Sequence, residues 1–347
     1  QDNKLGESVA HLKFSPDGTK LAVATVDGQI LIFDVSPGNY KQLKQLEGPN
    51  SEIQFIEWDK RSMGLFAGDS DSLGWVFSVS SGRSKTFSGS GDVSCGCFSS
   101  NGINILMGFL DSNVIMWSIS TGEQISAHNA KYKDLRESSG SGVTSITTSY
   151  LHPDVGVYGN EKGDVVLFRE SNGELLHLFN SVHKEAVEKV AFCSLEMLLD
   201  EEDDKIKGNQ QVDKEIDKTQ ATNIKQKLEN RQQQAQQLYQ SLPHYVASAS
   251  LDGNAVILDL KTNTQRGQAL IHEAGITCMQ FFFWRLNSKQ TLIPDSNTII
   301  QSTLSGGSTL TNKDAPILPI LVTGCTDGSV HIWNASSAER IRMINAH

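Results

Sequence analysis

One pattern returns six times along this chain: a run of small residues, an acidic-glycine or similar tight turn, then alternating apolar residues ending in a large apolar residue with a polar follower. Its clearest copies are Thr323-Gly324-Cys325-Thr326-Asp327-Gly328 leading to Trp333-Asn334, and Ala24-Thr25-Val26-Asp27-Gly28 leading to Phe33-Asp34. Weaker copies run from Asp71 to Phe77, Asp111 to Trp117, Lys162 to Phe168 and Asp252 to Leu258. Asp-Gly between two alternating runs is a hairpin signal, because the turn needs positive φ and glycine supplies it without a steric cost. A recurrence of such hairpins every ~40–45 residues is the signature of a four-stranded propeller blade.

The expected fold is therefore all-β, with six blades spanning about residues 9–46, 53–88, 92–127, 143–180, 187–271 and 276–344. In the first blade the inner, second, third and outer strands are expected at Val9 to Phe14, Lys20 to Thr25, Gln29 to Val35 and Tyr40 to Leu46. The last blade repeats that order, with strands at Ile276 to Phe281, Ile320 to Gly324, Ser329 to Asn334 and Arg340 to Ile344. Propellers usually close by completing one blade from both chain ends, and no such shared blade is visible here. His347 stands where another repeat would begin, as His183 and His272 precede the inner strands at Val187 and Ile276. The phase predicts an arc of a larger seven- or eight-bladed ring; the alternative is a six-bladed ring closed edge to edge.

Two segments break the period. Residues 193–244 are acidic and then rich in glutamine, a composition that cannot bury a core but has helix propensity, and a disordered loop followed by a solvated helix is expected. Residues 285–315 are polar, and both insertions join an inner strand to a second strand, so both should hang from the face opposite the Asp-Gly turns. A shorter excursion, Asn129 to Gly142, belongs on the Asp-Gly face.

The chemistry-bearing residues point away from catalysis. No phosphate-cradling glycine loop, nucleophile elbow or metalloprotease motif occurs, and no cofactor is called for. His272, Asp327 and Trp333 read as a buried hydrogen-bond set locking turn to strand, and Asp27, Asp71, Asp111, Asp252 and Trp117 as structural residues of the same repeat. Cys95 and Cys97 share one strand face as core thiols, because no further ligand pair accompanies them. Five scattered cysteines suit a reduced compartment, the cytoplasm or nucleus. No apolar stretch approaches a membrane span and no secretory leader opens the chain.

Lysine plus arginine number 30 against 40 acids, a formal net charge of −10, which disfavours a nucleic-acid backbone and favours a basic partner. The first insertion holds ten acids against seven lysines and arginines, so most of the excess falls on the blades. Glu7, Glu47, Glu52, Asp69, Asp92, Glu161, Glu185, Glu188 and Glu273 all fall in or beside the loops and turns of the Asp-Gly face. Singly they read as solvated loop acids. Together they predict an acidic mouth that would speed and order docking of a basic segment.

Ile56-Glu57-Trp58, Leu65-Phe66-Ala67-Gly68, Lys85-Thr86-Phe87, Cys95-Gly96 and Met107-Gly108-Phe109-Leu110-Asp111 resemble the angio-associated migratory cell protein family, which includes fungal ribosome-assembly chaperones. Gly6-Glu7-Ser8-Val9 and Val190-Ala191-Phe192-Cys193-Ser194 are similar too. The resemblance implies a closed WD-repeat propeller, monomeric when complete, with more blades than are visible here. It also implies a non-enzymatic escort of the basic N-terminal segment of a newly made large-subunit ribosomal protein (universal protein sixteen). The animal members are associated with cell migration, which makes a signalling or cytoskeletal scaffold the alternative.

Overall fold

A computed structural model describes residues 7–37, 39–49, 51–129, 141–149, 152–193, 244–285, 290–291, 300–301 and 317–346, and every regular element among them is a strand. The helix expected within 193–244, the body of the 129–142 excursion and His347 lie outside the described residues.

Each repeat forms one antiparallel sheet in sequence order. Blade 1 comprises Val9–Phe14, Lys20–Thr25, Ile30–Asp34 and Lys41–Leu46. Blade 2 comprises Ile53–Trp58, Gly64–Asp69, Leu73–Ser78 and Ser84–Ser88, and blade 3 Val93–Phe98, Asn104–Phe109, Asn113–Ser118 and Gln124–Asn129. Blade 4 follows with Val143–Ser149, His152–Asn160, Val165–Arg169 and Leu175–Phe179. Blade 5 has Val187–Phe192, Tyr245–Ser250 and Asn254–Asp259, but its outer edge is split. The two-residue pieces Thr264–Gln265 and Leu270–Ile271 both pair with the third strand, and Gly267 turns the chain between them at φ 68°.

In blade 6 the inner strand Ile276–Arg285 and second strand Ile317–Cys325 run past the expected ends, pairing as far as Arg285 with Ile317. The polar insertion thus leaves from the tip of a long hairpin, and its residues Gln290–Thr291 and Ile300–Gln301 pair in a separate ribbon. Ser329–Asn334 and Glu339–Asn345 complete the blade.

The turn between second and third strands fixes the register of all six blades. One residue there is left-handed in every copy: Gly28 (φ 87°), Ser72 (66°), Ser112 (75°), Gly163 (83°), Gly253 (79°) and Gly328 (81°). The large residue of the pattern then pairs with the second strand in the same way each time, from Leu21 with Phe33 to Leu321 with Trp333. Every inner strand also carries a register shift near its start, the signature of a β-bulge, at Ala10, Gln54, Ser94, Thr144, Glu188 and Thr277. The Ser94 and Thr144 hydroxyls use that kink to donate to the Val143 and Val187 carbonyls of the following blade.

The core lies between blades rather than within one. Ala22, Ala24, Ile30 and Ile32 of blade 1 pack against Ile53, Ile56, Trp58 and Phe77 of blade 2, and the same layering recurs around the arc. Trp58 closes its seam by donating its indole N–H to the Lys13 carbonyl at 2.9 Å. Among the described residues the ring is not closed. Leu12 and Phe14 are 61% and 63% exposed, whereas their counterparts Ile56 and Trp58 in blade 2 are each 6% exposed. At the other end Ile344 is 39% exposed where Leu46, in the same position of blade 1, is 3% exposed.

The left-handed turns carry a testable cost. A Cβ at Gly163 would stand 2.3 Å from the His183 carbonyl oxygen, whereas one at Gly18, also left-handed at φ 67°, would meet nothing within 4 Å. Gly18→Ala should therefore lose only the backbone term, about 1 kcal/mol, and Gly163→Ala at least about twice that. Urea denaturation of both variants measures this, and equal losses would mean that the close approach at Gly163 is free.

Candidate protein-binding face

Buried histidines fasten the loops of the turn face. His183 Nε2 lies 2.8 Å from Ser248 Oγ, and its Nδ1 faces Asp252 at 3.5 Å. His272 Nδ1 can only donate to the carbonyls of Leu270 (2.9 Å) and Gly253 (3.2 Å), so Nε2 is the acceptor for the Thr323 hydroxyl at 2.7 Å. The Trp333 indole N–H completes the set at 3.3 Å from both. A third pair joins His128 Nε2 to Tyr158 Oη at 3.1 Å, with Nδ1 on the Gly173 carbonyl at 2.7 Å. Ser248, Thr323 and Tyr158 each stand four residues before the turn residue of their blade, Asp252, Asp327 and Lys162. That offset, read together with a histidine ahead of the second strand, was the sequence signal for these hydroxyls, and inspection of the Asp-Gly turns alone misses it.

The expected His272, Asp327 and Trp333 set is thus corrected in one member. Asp327 accepts instead from the Ser329 amide (2.9 Å) and hydroxyl (2.6 Å), and Thr323 takes the place beside the histidine. Asp27, Asp111 and Asp252 likewise serve their own turns, accepting from the Gln29 side chain (2.7 Å) and from the amides of Asn113 (3.1 Å) and Asn254 (2.9 Å). Asp71 is exposed and donates its amide to Asp69 Oδ1 at 3.0 Å. Trp117 is buried edge-on against Phe109, at the position Trp333 holds in blade 6.

Asp69 leaves the acidic mouth. It is 1% exposed, and its carboxylate accepts from the Trp75 indole (2.7 Å) and from the amides of Asp71 and Leu73 (3.0 and 2.9 Å). An acid with those partners is a fastening of blade 2, not a contact for a ligand. Glu7, Glu47, Glu52, Asp92, Glu161, Glu185 and Glu273 are exposed, and Glu188 is half-buried at its bulge, where burial raises its pKa.

Backbone bonds hold these acids at the rim. The first turn residue of a blade donates to the carbonyl just before an inner strand: Ser70 to Glu52 (2.9 Å), Leu110 to Asp92 (3.0 Å), and equivalently Val26 to Ser8, Glu161 to Gly142 and Thr326 to Gly275. Glu52 and Asp92 therefore occupy one ring position, with backbones fixed and side chains exposed, that of Asp92 accepting from the Ser72 hydroxyl at 3.4 Å. Among the described residues Lys162 and Lys184 are cations of the same loops.

Nucleophiles and metal ligands are spent elsewhere. Cys95 and Cys97 are buried in one cluster with Tyr158 and Phe168, and burial pushes the Cys95 thiol up to about 12. His272, Cys325 and His331 bring ligand atoms within 4.8 Å of one another. Both nitrogens of His272 are already engaged, and the positive charge of Arg340 acts on both imidazoles. The donor set does not fit a cation.

Comparison with known proteins agrees with this geometry. Residues 1–61 match the Anaphase-promoting complex subunit 4 WD40 domain, and residues 81–118 match the WD domain, G-beta repeat. The fold is a WD-repeat propeller. The human angio-associated migratory cell protein is 27% identical over 120 residues, covering 34% of this chain and 27% of that protein, and the dog protein matches equally. The Drosophila melanogaster WD repeat-containing protein 26 homolog is 32% identical over 111 residues, 29% of this chain and 18% of that protein. The matched segments thus span about a quarter or less of these relatives. WD40 repeats imply a protein-binding scaffold, a fold that is typically non-catalytic.

The histidine fastenings set a pH dependence. Burial first, and His331 second, lower the His272 pKa to about 4, and burial also lowers those of His128 and His183. These groups stay neutral in the fold while the unfolded chain takes protons below about 6.5. Their contribution is complete above that pH and is lost as pH falls toward 4, because the unfolded state then binds more protons. The melting temperature should drop between pH 7.5 and 5, and His272→Gln should flatten that slope. A slope unchanged by the substitution would show that His272 is not neutral in the fold.

Proposed function

We propose that this propeller is a non-enzymatic ribosome-assembly escort that receives a basic protein segment on its turn face. The observation that carries the reading is the placement of Glu52 and Asp92 at one ring position with exposed carboxylates, joined by Glu7, Glu185 and Glu273 in the equivalent loops. Carboxylates on fixed backbones attract lysine and arginine over a Debye length of about 8–10 Å and orient an extended chain before contact. The resemblance to the angio-associated migratory cell protein family supplies the partner class: a newly synthesised large-subunit ribosomal protein, met in the cytoplasm and followed into the nucleus. A scaffold role in cell migration is the second reading, and its support is the name of the human relative, the angio-associated migratory cell protein.

Binding of a lysine- and arginine-rich peptide from such a ribosomal protein, measured by fluorescence anisotropy, should weaken with salt. The combined Glu52→Lys, Asp92→Lys, Glu185→Lys and Glu273→Lys variant should weaken it at least about tenfold, about 1.4 kcal/mol. Affinity unchanged by the reversals sinks the acidic-face mechanism. Recovery of cytoskeletal proteins but of no basic ribosomal protein from nuclease-free extract favours the scaffold.

A further inference from the structure

On the face opposite the acidic turns a cleft of about 410 Å³ lies between blades 2 and 3. It opens beside the inner-to-second turns. In blade 2 the Asp59 carboxylate accepts from the amides of Met63 (2.7 Å) and Gly64 (2.8 Å), which leaves Ser62 left-handed at φ 57° and throws Met63 outward. In blade 3 the equivalent turn uses Gly102 at φ 72° and throws Ile103 outward. Met63 is 62% exposed and Ile103 63%, while blade 1 has Thr19 at the same place, its hydroxyl bonded to Asp17 at 2.8 Å. Two neighbouring turns thus present large apolar side chains where a soluble turn would be polar.

The cleft floor between them is apolar, built from Val76, Phe98 and Ile119. Its ionic lining is Asp59, Arg83 and Lys85. Asp59 is consumed by its own turn, as above. Lys85 is held in place by the Ile119 and Ser120 carbonyls, both at 3.0 Å, and keeps its charge at the wall. Arg83 is exposed, and its guanidinium meets no acid among the described residues. On a chain of net charge −10, this is an apolar slot edged by cations with one planar donor fork unused.

We propose that the cleft between blades 2 and 3 is a second docking site, for an extended peptide segment of a partner protein that carries an aliphatic or aromatic anchor flanked by Asp or Glu. The anchor enters between Met63 and Gly102 over Ile119, and the neighbouring carboxylate pairs with the Arg83 guanidinium. An uncharged or basic segment gains the apolar contact without the ion pair. The site does not depend on the acidic turn face, since its residues come from the opposite ends of the strands.

The test is fluorescence anisotropy of the whole 347-residue chain with labelled ten-residue peptides that alternate Asp or Glu with Leu or Phe. The controls are a peptide with Lys for the acids and one with Gly for the apolar residues. The acidic-apolar peptide should bind, and each control should bind at least about tenfold more weakly. Arg83→Glu and Met63→Gln alter exposed side chains and should each cost about tenfold, while the four-residue reversal on the turn face should leave this affinity unchanged. A photo-crosslinker on the anchor should label the turns at Met63 and Ile103. Absence of saturable binding, equal binding of the lysine peptide, or indifference to both substitutions overturns the proposal. None of those results bears on the basic-segment site, which is read by its own peptide.

Discussion

The structure depends on one close approach, repeated from blade to blade. In blades 1, 4 and 5 the loop that leaves the outer strand crosses the left-handed turn of the blade it is leaving with no room for a side chain between them. At Gly28 a Cβ would stand 2.5 Å from the Pro49 carbonyl oxygen, at Gly163 2.3 Å from that of His183, and at Gly253 3.0 Å from that of His272. The same crossings carry hydrogen bonds, from the His183 amide to the Gly163 carbonyl and from the His272 amide to the Gly253 carbonyl. Glycine at these three turns therefore serves twice: its positive φ turns the hairpin, and its missing Cβ lets the next loop pass. Where the turn residue is Ser72 or Ser112 the chain accepts a left-handed non-glycine residue instead of a different turn.

That crossing places both the fastenings and the candidate site. Once His183 and His272 are fixed over the turns, their side chains fall beside Ser248 and Thr323, and the acids that follow, Glu185 and Glu273, are carried to the rim. Burial of the His272 and His128 imidazoles is tolerable because a carbonyl takes one nitrogen and a hydroxyl the other, while His183 has its hydroxyl partner and faces the Asp252 carboxylate at 3.5 Å. The carboxylates divide by the same logic. Asp69 finds three donors inside its blade and turns inward, while Glu52 projects into water and Asp92 stays exposed with only the Ser72 hydroxyl, at 3.4 Å, on its carboxylate among the described residues.

Strand order, blade count and turn register were legible in the sequence because period-two alternation and Asp-Gly chemistry are local. The six left-handed positions fall at the expected turn residues, including the two serines. The extended hairpin of blade 6 was not legible, since its pairing from Phe282 to Arg285 opposes a segment some thirty residues on, within a composition that reads as polar loop. Nor was the split outer edge of blade 5, where Gly267 alone marks the break. In the candidate site the sequence could place acids near a face but could not separate Asp69 from Asp92, because what separates them is the Trp75 indole and the two turn amides that meet the Asp69 carboxylate across its hairpin. The cleft was invisible for a related reason. It arises between turns some forty residues apart that sequence pattern treats as separate loops.

The two faces are physically distinct despite sharing every strand. Strands of five or six residues separate them by about 17–20 Å, or roughly two Debye lengths at physiological salt. Carboxylates at the turn rim therefore do not neutralise Arg83 and Lys85 on the far side, and each face keeps the local sign that its own loops give it. A net charge of −10 describes the whole chain and neither surface. A rigid β-layer therefore holds the acidic rim and the Arg83–Lys85 cleft apart without movement of the blades. That is the physical content of calling such a propeller a scaffold: its layers hold chemically different loops apart at a fixed distance.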